Sequence, residues 1–225
     1  METTTMPDHA PTENKADDAA ARLAPGRPRP PEVAELAQAL IQTRQTLLPK
    51  RLLAPGPDAA QTRRILAAAA HAPDHHELLP WRFVLVPEGA RAALGQAFAD
   101  ALRERDGAAE PEQLAQAREK AARAPLLLLA VVRLCDDDDE IAPHERIVSA
   151  GCAIGNMLLM AHALGFGASL TSGKALQSAP LRALFALDER EQALCFVNIG
   201  TPARAKPIRK RPALEQYVSV LNLGN

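Results

Sequence analysis

Between His71 and Val86 the chain reads HAPDHHELLPWRFVLV, which gathers His71, His75 and His76 and sets the only tryptophan, Trp81, behind Pro80. Two imidazoles four positions apart on one helix can address a single metal ion. Pro73 lies between His71 and His75 and interrupts any such helix. Only Asp74 and Glu77 stand near them as further ligands, so zinc is not the expected occupant. Two readings remain from the residues alone: solvent-facing histidines, or the lining of a pocket for something flat.

Other reactive types are thinly spread. Asp136, Asp137, Asp138 and Asp139 form one acidic run without the spacing or the glycine turn of a calcium loop. Cys152 lies in an apolar stretch, SAGCAIGNMLL, where a thiol acts as a small hydrophobe. No serine sits in a GxSxG elbow. Neither GxGxxG after a strand nor GxxxxGK[ST] occurs, and Gly165, Gly167 and Gly173 fit neither spacing. Two groups of fixed cations remain, Arg44 in TRQT and Arg209 to Arg211 in RKR. Arginines from both ends of a chain can clamp one phosphate with bidentate geometry.

The elements that must position these residues follow from periodicity. Residues 1–31, rich in Pro, Thr, Asp and Ala, lack an apolar face that could offset the entropy of ordering them, so a flexible tail is expected there, and one ordered domain over 32–225. Val33, Leu36, Leu40 and Ile41 are spaced for a helix. Asp58 is an expected N-cap for AAQTRRILAAAAHA. RFVLVP reads as a strand, and LLLLAVVRL as a strand buried on both faces. The stretches 89–107 and 110–124 read as a helical pair, 146–167 as a long apolar helix ending at Gly165 or Gly167, and 178–187 as a further helix. ASLTSG reads as a short extended segment, QALCFVNIGTP as the last core strand, and YVSVL near the C-terminus as a short strand.

Composition narrows the class. The 225 residues carry a formal net charge of −1, which gives no basic field for nucleic acid or an anionic membrane. Apolar residues make up 47% and aromatics 3%, so the core is expected to rest on Ala, Leu, Val and Ile. Cys135, Cys152 and Cys195 form no CxxC pair, and no apolar run reaches the ~18 residues of a membrane helix. A cytoplasmic protein is the expectation.

Taken in order, four pieces resemble the FMN-dependent nitroreductase family, and within it the short, YdjA-like branch of NAD(P)H nitroreductases. They are RQT, then ILAAAAHAPDHHELLPWRFVLV, then SAGCAIGNMLLMAHALGFGASLTSG, then FVNIGTP. The resemblance spans about residues 36–221. It implies an α+β fold with a central, mostly antiparallel sheet flanked by helices, built as a homodimer. It also implies bound FMN, NAD(P)H as donor and a flat, electron-poor acceptor. By this resemblance Arg44, Gln45 and Thr46 meet the phosphate and ribityl chain, with Arg209 and Arg211 as further phosphate partners. His71 and His75 line the flavin pocket, and Leu170, Thr171, Ser172 and Gly173 contact the isoalloxazine. Met160, Ala161, His162, Ala163, Leu164 and Gly165 match a stretch assigned to the nicotinamide nucleotide. No side chain is expected as nucleophile, because the chemistry sits on the flavin. Gln45 stands where the branch commonly has a second arginine, Leu79 where a glutamine is usual, and two extra residues separate Thr46 from Arg51. These departures keep open a flavin-binding protein with little turnover.

Overall fold

The computed structural model describes residues 30–136, 140–204 and 210–221. The chain divides into two units, Met1–Gln42 and Thr43–Asn225. Helix α1 (Pro31–Thr43) supplies the described part of the first and buries none of its side chains. The expected tail over 1–31 falls almost wholly outside the described residues.

The second unit is built on five strands: β1 (Leu52–Leu53), β2 (Trp81–Leu85), β3 (Leu126–Arg133), β4 (Gly167–Thr171) and β5 (Glu191–Pro202). All strand pairs are antiparallel. β5 is central, with β3 and β4 paired to it, β2 outside β3, and β1 against the last residues of β5. The α+β expectation with a mostly antiparallel sheet therefore holds.

β3 shows why its run is continuously apolar. Successive side chains alternate between faces. Leu128, Ala130 and Val132 join the core beneath one set of helices, and Leu127, Leu129 and Val131 join the core on the other. The first core takes Ile65 and Ala69 from α2 (Ala59–Ala69), with Ala150, Ala153, Ile154, Met157 and Ala161 from α5 (Pro143–Ala163). That spacing of three, four and seven is one helical stripe. The second core takes Leu94 from α3 (Arg91–Arg105) and Leu181 from α6 (Ala179–Leu184). The remaining helix, α4 (Pro111–Glu119), packs beside α3.

The helix ends follow local rules. The Asp58 carboxylate accepts from the Gln61 backbone N–H at 2.7 Å, and the Gln61 side-chain Oε1 accepts from the Asp58 N–H at 2.9 Å. This capping box is worth about 1 kcal/mol. α2 stops at Ala69 and tightens through 3₁₀-type bonds from the N–H groups of Ala70, His71 and Ala72, before Pro73 closes it. α5 ends on Gly165 at φ +86°, a left-handed position that glycine adopts without a Cβ clash.

One expectation fails. Tyr217 to Leu221 pair with no strand, and Leu214–Gln216 forms a short 3₁₀ turn before them. Alternating apolar residues make a strand only where a sheet edge receives them, and here they remain exposed.

An ion-pair network closes the end of β5. Arg82 donates to both Glu191 oxygens, at 2.7 and 2.8 Å, and Arg133 donates to Asp188 at 2.9 Å. The Arg82 hydrogen bonds hold the Glu191 carboxyl below its usual value, against the opposing effect of burial. A lowered folded-state pKa stabilises above the unfolded value and loses that contribution as pH falls. Glu191→Gln should cost about 1–2 kcal/mol at pH 7. The gap from wild type should close as pH drops below about 4.5, where the unfolded carboxylate begins to protonate. Urea midpoints measured against pH check this. A gap that persists at acid pH would remove the ion pair as its source.

Candidate active site

A larger and a smaller cavity open among the described residues of the second unit. The larger, about 610 Å³, lies where the end of β4 and the middle of β5 meet α3 and α4. Its volume falls in the range of ligand sites. Phe98, Leu102 and Phe196 form apolar walls, with the two phenyl rings edge to face at 5.4 Å. Gln113, Gln116, Ala117 and Lys120 reach it from one side of α4 and the turn that follows, at helical spacing.

β4 delivers Thr171, Ser172 and Gly173 to this cavity. Asn198 on β5, 3% exposed, fixes that strand end. Its amide donates to the Thr171 hydroxyl at 3.0 Å and to the Ser169 carbonyl at 3.3 Å. Leu170 points away and is exposed. Sequence reasoning missed Asn198, although one amide inside the apolar run CFVNIG was a signal, since a buried polar side chain must find partners.

The segment after α1 runs beside β4. Thr46 bridges Ala168 in parallel, and the Leu47 N–H donates to the Ala168 carbonyl at 3.0 Å. A Cβ on Gly167 would lie 2.5 Å from Leu47 Cδ1 and 2.9 Å from Leu52 Cδ2, so a side chain there would force both leucines to shift. Leu48 and Pro49 reach the larger cavity. Arg44 and Gln45 line the smaller one, about 230 Å³, together with His162, Gly165 and Arg204. Thr43 Oγ1 and His162 Nε2 are 2.8 Å apart. The Arg211 guanidinium donates to the Arg44 carbonyl at 3.1 Å, which joins the two ends of this unit. Arg209 lies outside the described residues, as do Asp137, Asp138 and Asp139.

The other sequence-predicted residues are dispersed. Ala161 is fully buried in the core, Met160 and Leu164 are packed against it, and Ala163 is exposed. His71 and His75 line neither cavity. His75 Nδ1 lies 3.0 Å from Glu145 at the start of α5. The following loop holds His76, Glu77 and Leu79 at φ of 57°, 55° and 48°, a left-handed region that such side chains rarely adopt. Asp74 accepts from the Leu79 N–H at 2.7 Å and anchors this loop. Among the described residues no group of three or more His, Cys, Asp or Glu is placed to hold a metal ion, and no helix is long and apolar enough to cross a membrane.

These features define an α+β protein in which one antiparallel sheet is clad on both faces by helices, with a cavity beside the end of β4. The family model "Nitroreductase family" matches residues 50–201. "Putative NAD(P)H nitroreductase YdjA" of Escherichia coli K12 is 33% identical over 154 residues, 68% of this chain and 81% of that protein. The chain belongs to the nitroreductase family, and is by that membership an oxidoreductase. Two solved structures share the fold. A nitroreductase-like family protein from Bacillus cereus superposes with a TM-score of 0.71 at 17% identity, covering 82% of this chain and 95% of that one. An FMN-dependent nitroreductase from Clostridium difficile gives 0.60 at 17% identity, covering 82% and 98%.

Proposed function

We propose that the chain is an FMN-dependent oxidoreductase that passes reducing equivalents from NAD(P)H to a flat, electron-poor acceptor such as a nitroaromatic or quinone. The observation that carries this reading is the larger cavity, with aromatic walls, amide and hydroxyl donors at the end of β4, and the Arg44–Arg211 junction on the same segment as Leu48. The donor set suits a flavin. Asn198, Gln116, Thr171 and Ser172 offer hydrogen bonds to a polar ring edge, and Phe98 and Phe196 offer apolar surface.

When bound, FMN supplies the two-electron chemistry, accepting hydride from the donor and yielding reducing equivalents to the acceptor. This chain's residues bind and orient. Arg44 and Arg211 would hold the phosphate, with Gln45 and Thr46 toward the ribityl chain. Thr171, Ser172 and Gly173 would meet the ring, fixed from behind by Asn198. Donor and acceptor would share one slot in turn, which gives ping-pong kinetics.

His71 and His75, absent from this chain's own cavities, would line the slot of a second copy in a homodimer. On α5 the exposed Val148 offers apolar surface and the exposed Gly151 permits close helix approach, which supports that face as the contact. Met160 to Gly165 would serve the nicotinamide nucleotide through His162 and Gly165, the two that reach a cavity. The three scattered cysteines support a reducing, cytoplasmic setting.

A second reading, a flavin-binding or flavin-handling protein with little turnover, draws on Gln45. It replaces an expected arginine, and its side chain lines the smaller cavity. One spectrum separates the two readings. The purified protein with FMN should show flavin bands that bleach anaerobically with NADH or NADPH and return with a quinone or nitroaromatic. Bound flavin that resists reduction would favour the second reading, and absence of bound flavin would overturn both.

A further inference from the structure

The larger cavity has a charge balance that flavin binding alone does not use. Among the described residues Arg105, Lys120, Arg123 and Lys174 line it, and no carboxylate does. Among the described residues Arg123 is paired with Glu119, at 3.5 Å. Arg105, Lys120 and Lys174 have no acidic partner among the described residues and are exposed. They come from three separate elements: the end of α3, the turn after α4, and the turn after β4. In a chain of net charge −1 this one-signed rim is a local feature. Low-dielectric walls beneath it, Phe98, Leu102 and Phe196, focus its field into the cavity.

We infer that Arg105, Lys120 and Lys174 form an anion subsite that selects an aromatic ligand bearing a carboxylate or phosphate. The inference rests on the flavin reading above and deepens it. Arg44 and Arg211 already provide cations for the cofactor phosphate, which leaves the rim to the substrate. The apolar walls accept a ring, and the rim cations accept its anionic substituent. Arg105 is the specificity-determining member, because its planar fork matches a carboxylate or phosphate with two parallel bonds. Two substrates can bring that group: an acceptor that is an aromatic carboxylate, or a nicotinamide donor through its phosphates. In a shared slot the same cations serve each in turn.

The test is equilibrium binding to the oxidised, FMN-loaded protein, read by calorimetry with two pairs whose members differ in one anionic group. One pair is 4-nitrobenzoate and 4-nitrobenzamide. The other is nicotinamide mononucleotide and nicotinamide riboside. The charged member of at least one pair should bind about fivefold tighter or more, as expected for a partly exposed ion pair. The preference should shrink as salt rises. Arg105→Gln should abolish it and Arg105→Lys should restore part of it, with FMN affinity and melting temperature unchanged. Preference within the first pair assigns the subsite to the acceptor, and preference within the second assigns it to the donor. Equal binding within both pairs overturns the inference. So does a loss of FMN affinity in Arg105→Gln, which would give this cation to the cofactor. Protein that takes up no FMN fails at the earlier step and overturns the flavin reading with it.

Discussion

Arg44→Ala is expected to weaken FMN binding by about 10- to 100-fold. A charge-assisted contact to a phosphate is worth about 1.5–3 kcal/mol, and each 1.4 kcal/mol is about tenfold in affinity. The substitution isolates the guanidinium. The Arg44 carbonyl, which accepts from Arg211, is unchanged, so the junction between the two ends of the unit keeps its backbone contact. Neighbouring Thr46 and Leu47 remain tied to Ala168 of β4 by main-chain bonds. Gln45 brings no charge of its own, so the proposed site keeps Arg211 as the cation facing the phosphate in the variant, and the loss stays within this range. Riboflavin, which lacks the phosphate, provides the internal control, since its affinity should be the same in wild type and variant. Fluorescence titration of both ligands measures the effect. Equal losses for FMN and riboflavin would mean that the variant disturbs the cavity as a whole. Unchanged FMN affinity would remove Arg44 from the phosphate site.

The features legible in the sequence are those fixed by nearest neighbours along the chain. Asp58 and Gln61 cap α2 because three residues suffice to build a capping box. Gly165 ends α5 because a left-handed residue is needed there. β3 declares itself because burial on both faces leaves no polar position from Leu126 to Val132. Features set by distant partners were hidden. β1 is two residues long and exists only because Leu52 and Leu53 meet Pro202 and Thr201. Tyr217 to Leu221 carry a strand-like alternation without a strand to receive it.

The site divides the same way. Thr171, Ser172 and Gly173, which the resemblance assigned to the isoalloxazine, line the larger cavity because the register of β4 carries its end there. Gln113, Gln116 and Lys120 lie at helical spacing on a polar stretch, and no local signal distinguishes a solvent-facing side from a cavity wall. His71 and His75 were expected at the flavin, yet within one chain His75 sits against Glu145. In the proposed homodimer a second copy would bring them to the cavity, and such a contact leaves no mark on the spacing of residues within one chain.

Adjacent residues of β3 allow stability and binding to be separated, which gives the second large prediction. Leu128 is fully buried in the core shared with α2 and α5. Leu127, its neighbour on the opposite face, lines the larger cavity. Leu128→Ala deletes buried methyl groups and leaves a hole between β3 and α5, at an expected cost of about 2–5 kcal/mol. That is a large fraction of the ~5–15 kcal/mol that holds a typical domain. Leu127 is 3% exposed, so Leu127→Ala should also destabilise, by an amount reduced where the new space joins an existing cavity. The two should part on ligand binding. Leu128→Ala should keep wild-type FMN affinity at temperatures where it is folded, whereas Leu127→Ala should lose some, having removed part of the cavity wall. Saturating FMN should raise the melting temperature of Leu128→Ala, because a ligand that binds only the folded state stabilises it by mass action. Urea unfolding with and without FMN reads both quantities on the same samples. An FMN affinity that falls with Leu128→Ala and holds with Leu127→Ala would place the flavin on the opposite face of the sheet.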